Sequence, residues 1–221
     1  SEHLMDHSER MLRAEIEKLP DGRYEAEGRM DGFLDHPDPA YRDLPVKVAI
    51  TVSGSDLHVD LTGTADQVDL PINMPFEGTV DVAIALTLRA ILLDSTRHEN
   101  VISNQGLFRP ITIEAPLGSL ANPRFPAPTI ARFCPGNLIA DTIMRALAPV
   151  LPEAVAAGVG NLKVVAYSGP ADSGAWVYMD IVEGSYGGRY GKDGLDAVDT
   201  LYANTRNNPI EDIESHYPLR V

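Results

Sequence analysis

The spacing of apolar residues predicts three long helices and one short one. Residues 2–18 place apolar side chains on one helical face and charged side chains on the other. Residues 79–93 are apolar on nearly every face, which indicates a helix that is largely buried. A third helix is predicted over 137–148, with Asn137 as its N-cap. A short helix over 152–158 would have proline at its start and glycine at its end.

Strand patterns lie between these helices. Over 45–62, apolar and polar residues alternate on both sides of a Ser-Gly-Ser-Asp turn, which predicts a β-hairpin with one buried face. Further strands are predicted at 108–114, 162–168 and 175–183. Because strict β-α-β alternation is missing, we expect an α+β (mixed α/β) fold with antiparallel hairpins and a mixed sheet packed against helices. One domain, or two tightly packed halves dividing near 125–135, is expected.

Composition excludes several kinds of partner. The 221 residues carry a formal charge of −14 and contain no run of Lys or Arg, so neither nucleic acid nor an anionic membrane surface is an expected partner. The longest apolar stretch, Val82 to Leu93, is far shorter than the roughly 20 residues that span a bilayer. The single cysteine, Cys134, cannot form an internal disulfide and is interpreted as a small core residue rather than a nucleophile.

A glycine-rich segment over 183–196 is the strongest candidate for a functional loop. Its five glycines predict either left-handed backbone or a close approach of the main chain to other atoms. Carboxylates and an arginine stand beside them, as expected for the wall of a site, although a plain surface loop explains the spacing equally well. Neither a P-loop nor a dinucleotide-binding motif fits, because Tyr186 occupies the position of the required first glycine.

Several short motifs, in this order and spacing, together resemble the hydantoinase B/oxoprolinase family. The matching segments are Leu-Pro-Asp-Gly at 19–22, Val-Asp-Leu-Thr-Gly-Thr at 59–64, Asn-Gln-Gly-Leu-Phe-Arg-Pro at 104–110, Pro-x-Gly at 116–118, Asn-Pro at 122–123, the glycines and Asp193 of 187–194, Asn204, Asn-Asn-Pro-Ile-Glu at 207–211, Glu214 and Pro218. The resemblance extends over roughly residues 19–219, which is nearly the whole chain.

The resemblance implies a cytoplasmic B-type subunit that works with an ATP-binding A-type partner on a small-molecule substrate. Members of the family open cyclic amides such as hydantoins, 5-oxoproline or lactams, and related carboxylases add carboxylate to acetone or acetophenone. The family's chain is much longer, and its H-x-x-D and H-x-D metal motifs have no match here. We therefore expect an internal or C-terminal-half piece that binds no cofactor itself. ATP and Mg²⁺ would belong to the A-type partner, and a divalent metal to the N-terminal half of the B-type chain.

The candidate site residues come from the glycine-rich segment and from the matched motifs. As acid–base groups we predict Glu183, Asp193 and Glu211, because burial can raise the pKa of a carboxyl toward neutrality; solvated or capping carboxylates are the alternative. The predicted substrate-binding residues are Gly187, Gly188, Asn104, Arg109, Asn204 and Asn207. Arg109 could bind an anion through its guanidinium, or it could pair with a structural carboxylate.

Three function classes remain open from the sequence. The first is part of an ATP-dependent cyclic amide hydrolase, and the second is the equivalent part of an ATP-dependent ketone carboxylase. The third is a non-catalytic docking domain that leaves the chemistry to its partner. Incorporation of bicarbonate distinguishes the second class from the first.

Overall fold

The computed structural model describes residues 2–98, 101–171, 174–182, 184–203, 205–206 and 208–221. A four-stranded sheet has the strand order β1 (Gly22–Gly32), β2 (Arg42–Ser53), β3 (Asp56–Asp60) and β4 (Ile111–Glu114). The first three strands pair antiparallel, whereas β4 joins β3 in parallel. The sheet is therefore mixed, and the hairpin predicted over 45–62 is confirmed.

The sheet buries one face, as the alternating pattern predicts. On β2, Val46, Val48 and Ile50 are almost completely buried, and Ile50 lies opposite Val59 of β3. Helix α3 (Phe133–Leu147) packs on this face across β1 and β2.

The contact between α3 and β1 is close at Gly28. A Cβ at Gly28 would lie 2.6 Å from the Thr142 hydroxyl oxygen on α3, so this position in β1 has no room for a side chain. The contact helps to set the distance between the helix and the sheet.

Two further helices complete the packing around α3. Helix α2 (Asp81–Leu92) lies between α3 and α1 (Glu2–Ile16) and is buried along most of its length. The Thr87 hydroxyl makes hydrogen bonds with the Ala83 carbonyl oxygen and the Tyr202 hydroxyl, both at 2.7 Å, so it is satisfied inside the core. The predicted amphipathic and buried helices are both confirmed. Among the described residues, none of the helices has both the length and the apolar character needed to cross a membrane.

The C-terminal part is built around a long two-stranded ribbon. Its strands, β5 (Lys163–Ala171) and β6 (Gly174–Val182), pair antiparallel and confirm the two predicted strands. Two very short strands follow, β7 (Ser185–Tyr186) and β8 (Leu195–Asp196), and then helix α4 (Ile210–His216). Tyr217, at the end of α4, packs against Tyr178 of β6 with ring centroids 4.8 Å apart.

Three sequence predictions are corrected. Helix α3 begins at Phe133, so Asn137 lies inside the helix and is not its N-cap. The short helix over 152–158 is wrong, because residues 152–154 form a turn and Ala156 makes a β-bridge with Arg189. Strand β1 and helix α4 were not predicted.

Candidate functional site

The glycine-rich segment approaches another part of the protein's own main chain. The Gly187 N–H donates to the Gly158 carbonyl oxygen at 3.0 Å, and the Ala157 N–H donates to the Gly188 carbonyl oxygen at 2.9 Å. A Cβ at Gly187 would lie 2.8 Å from the Ala157 carbonyl carbon, and a Cβ at Gly184 would lie 2.6 Å from a backbone oxygen of segment 157–161. The glycines therefore let two backbones pack directly against each other.

Segment 157–161 carries this contact to a carboxylate on α3. The Val159 N–H donates to Oδ1 of Asp141 at 2.7 Å. Burial raises the pKa of Asp141 above its ordinary value, while the Val159 N–H and nearby Arg145 act in the opposite direction. A half-buried carboxyl whose pKa moves toward neutrality is a typical acid–base group.

Two cavities border Asp141 in the part of the chain that the structure describes. One, of about 410 Å³, lies between α3 and the glycine-rich segment, and its lining includes Arg145, Gly188, Arg189 and Tyr190. It connects the loop predicted from sequence with a carboxylate that the sequence analysis did not single out.

The second cavity, of about 370 Å³, lies beside the N-terminal half of α3. Its lining includes Cys134, Asn137, Gly160 and Asn161. Nδ2 of Asn137 donates to Oδ1 of Asn161 at 3.2 Å. Burial raises the pKa of the Cys134 thiol, so at neutral pH it is a protonated polar lining group and a poor nucleophile.

Asn104 and Arg109 lie elsewhere and hold α1 in place. The Asn104 side chain accepts from the Gly106 N–H at 2.8 Å and donates to the Ser8 hydroxyl at 2.9 Å. Arg109 pairs with Glu9 at 3.0 Å and with two other carboxylates of α1, Glu2 and Asp6. These carboxylates raise the pKa of Arg109. Of the two sequence interpretations of Arg109, pairing with structural carboxylates is the one that the geometry favours.

Asn104 also lines a third, mostly apolar cavity of about 500 Å³. Leu86 of α2 and Phe108 contribute to its wall. The structure therefore does not bring Asn104 and the glycine-rich segment to one cavity.

The predicted acid–base residues are not brought together in the described structure. Asp193 and Glu211 are exposed, Glu211 in the first turn of α4. Glu183, Asn204 and Asn207 lie outside the described residues.

The described residues contain no group of three or more His, Cys, Asp or Glu that could hold a metal ion. The donor set present thus does not fit a metal centre, and no step is assigned to one.

The sequence does contain a signal for the residues that were missed. Cys134, Asn137 and Asp141 follow one another at intervals of three and four, so they share one face of a helix. Polar residues on an otherwise apolar face indicate a lined cavity, but with Asn137 interpreted as an N-cap the pattern was not recognised.

Comparison with known proteins gives consistent results along the chain. The family model described as hydantoinase B/oxoprolinase matches residues 1–221. The B-type component of a "Putative D-/L-hydantoinase" of Pseudomonas sp. (strain NS671) is 69% identical over 222 residues, covering 100% of this chain and 38% of its own length. This chain therefore spans much less than half of that relative.

Two solved structures share the fold. The ATP-dependent caprolactamase of Pseudomonas jessenii has a TM-score of 0.78 at 22% identity, covering 98% of this chain and 37% of its own. A nucleotide-free acetone carboxylase has a TM-score of 0.77 at 16% identity, covering 97% and 30%. At these identities the likeness is one of fold.

Proposed function

Because the chain belongs to the hydantoinase B/oxoprolinase family, we propose that it forms part of the B-type subunit of an ATP-dependent enzyme that opens cyclic amides. The observation that carries this proposal is the high identity, along the whole chain, to a relative named as the B-type component of a hydantoinase. In this proposal the subunit is cytoplasmic and works with an ATP-binding A-type partner.

The proposed reaction divides the chemistry between the two subunits. An amide carbonyl is a poor electrophile, and phosphorylation of its oxygen creates a good leaving group. The A-type partner, which would hold ATP and Mg²⁺, carries out that step. The B-type subunit receives the activated ring and keeps stray water away until attack. A divalent metal, where the family uses one, is assigned to the rest of the B-type chain, since the described donor residues do not fit it.

Asp141 is the proposed proton-accepting group of this chain. Its carboxylate borders both cavities, and its raised pKa brings its basicity closer to what general-base catalysis at neutral pH requires. In its place it would take a proton from the attacking water. Asp193 and Glu211 stay predictions as acid–base groups, as does Glu183.

The glycine-rich segment would act as a support and as part of a wall. Gly187 donates its N–H to Gly158, so its proposed contribution passes through segment 157–161. Gly188 lines the cavity beside Asp141, so it is proposed to contact the substrate. Asn104 and Arg109 stay predictions for substrate binding, secondary to their contacts with α1.

An exposed apolar face on the ribbon supports the proposal of a protein partner. Val164, Val177 and Met179 lie on one face of β5 and β6 and are 48%, 66% and 60% exposed. A contiguous apolar face of this kind is typical of a surface that another protein covers. The A-type partner and the rest of the B-type chain are the proposed occupants.

A ketone carboxylase is the second candidate, because the fold likeness to acetone carboxylase is nearly as high as that to caprolactamase. The two are separated by supplying labelled bicarbonate with ATP. Label in an acid product from a ketone identifies a carboxylase, and ATP-dependent ring opening without label identifies the amide hydrolase.

The decisive assay uses the full-length B-type protein reconstituted with its ATP-binding partner. With ATP, hydantoin should be opened, and Asp141→Asn should lower kcat by roughly 100-fold or more, as expected for loss of a general base. Asp69→Asn, at an exposed position, is the matched control. If Asp141→Asn kept full activity, the assignment of Asp141 would be wrong. If neither ring opening nor carboxylation occurred, a docking role would replace both.

A further inference from the structure

We infer that the cavity beside Asn137 binds the amide group of the substrate, with Oδ1 of Asn137 accepting a ring N–H of the ligand. This inference rests on the proposed function for the identity of the ligand as a cyclic amide. It adds a positioning residue and a location for the ring.

The starting observation is a buried acceptor that lacks a donor. Only 2% of the Asn137 surface is exposed. Its Nδ2 donates to Asn161, but Oδ1 has no hydrogen-bond partner among the residues that the structure describes. Buried polar atoms are nearly always paired, because an unpaired one loses its bond to water without replacement. Oδ1 of Asn137 therefore calls for a donor from outside the described chain.

The surrounding cavity has a suitable size and polarity for a small ring. Its volume of about 370 Å³ lies within the range of small-molecule sites. Cys134, held as a thiol by the raised pKa, and Asn161 contribute neutral polar groups. Such a lining suits a neutral ligand that donates and accepts hydrogen bonds.

The charges at the cavity argue against an anionic ligand. Arg29 is the cation that lines it among the described residues. Its guanidinium already pairs with Asp43 at 2.6 Å and with Glu27 at 2.8 Å. Asp31 and Asp141 also line the cavity and would repel a carboxylate or phosphate. A neutral amide meets none of this repulsion.

The position of Asn137 relative to Asp141 links binding to chemistry. The two residues are four apart on α3 and therefore neighbours on one helical face. A ring whose N–H is held by Asn137 lies beside the proposed base. Such a hydrogen bond fixes the orientation of the ring, so Asn137 is a positioning residue.

The test compares ligands with and without N–H donors. Hydantoin and 1,3-dimethylhydantoin, which lacks both N–H groups, are titrated by calorimetry into the reconstituted complex without ATP. The wild type should bind hydantoin about 3- to 10-fold more tightly, the effect of one neutral hydrogen bond. Asn137→Ala should lose this preference. Asn122→Ala, which removes an amide bonded to the Ala115 carbonyl oxygen, should keep it.

The possible outcomes are distinct. Equal binding of the two ligands by the wild type, no measurable binding of hydantoin, or an unchanged preference in Asn137→Ala would overturn the inference. If Asn137→Ala does not fold, as judged by circular dichroism, the wild-type preference decides. ATP-dependent ring opening is measured separately: activity without an Asn137-dependent preference defeats the inference alone, and the preference without activity defeats the proposed reaction alone.

Discussion

Adjacent glycines in the glycine-rich segment should respond very differently to the same substitution. We expect Gly187→Ala to destabilise the contact with segment 157–161 and Gly188→Ala to be tolerated. Both glycines lie outside the left-handed backbone region, so backbone strain does not distinguish them. The difference comes from the space around each added methyl group.

The magnitude follows from the distances. A Cβ at Gly187 would lie 2.8 Å from both the Ala157 carbonyl carbon and the Gly158 nitrogen, whereas a Cβ at Gly188 meets its nearest atom, the Lys192 carbonyl oxygen, at 3.7 Å. Non-bonded carbon atoms prefer about 3.5–4.0 Å. Forcing an overlap of this size into packed backbone costs about 1–3 kcal/mol. Gly188→Ala should instead be neutral or stabilise by up to about 1 kcal/mol.

Amide hydrogen exchange on the full-length protein measures the effect locally. In Gly187→Ala, the Ala157 amide, which donates to Gly188, should exchange roughly 5- to 150-fold faster than in the wild type. In Gly188→Ala its rate should stay within about twofold of the wild type. Equal exchange in the two variants would refute the close-packing argument for Gly187.

Three further predictions follow from other features of the structure. Asp141 has a raised pKa in the folded protein, so its contribution to stability is full below its ordinary pKa and is lost as pH rises through the raised value; Asp141→Asn should therefore gain stability relative to the wild type over that rise, in urea unfolding measured from pH 3 to 8, and a constant difference would contradict it. Cys134 should react slowly with iodoacetamide at pH 7 and speed up above pH 9, because burial raises its pKa; rapid labelling at pH 7, followed by mass spectrometry, would disprove this. Val177→Lys on the exposed ribbon face should weaken co-purification with the A-type partner at unchanged thermal stability, whereas Lys163→Ala at the other face should not; intact binding would rule out this face as the interface.

Regular elements with a strong local pattern were predictable from the sequence. The hairpin of β2 and β3 was recognised because Val46, Val48 and Ile50 alternate with polar residues, which leaves a single face to bury. Strand β1 has the same period, with Tyr24, Ala26 and Met30 on one face, but its many charges hide the alternation. Those charges suit a strand at the edge of the sheet.

Features set by distant contacts were not predictable. Residues 152–158 have helix-like punctuation, but Ala157 donates its backbone N–H to Gly188 across the chain, and this pairing replaces a helical bond. The glycine cluster correctly indicated a close approach, while its partner segment was beyond local patterns. Asp141 owes its importance to burial between two cavities, which no single stretch of sequence encodes.

The parallel pairing of β3 with β4 has a consequence for biosynthesis. Residues 61–110 lie between these strands, so a nascent chain can close the β1–β3 meander early but must wait for Glu114 to leave the ribosome before the sheet is complete. Until then the edge of β3 exposes unpaired peptide groups beside apolar Leu57 and Val59. We expect this interval to be the one in which chaperones matter most to the protein.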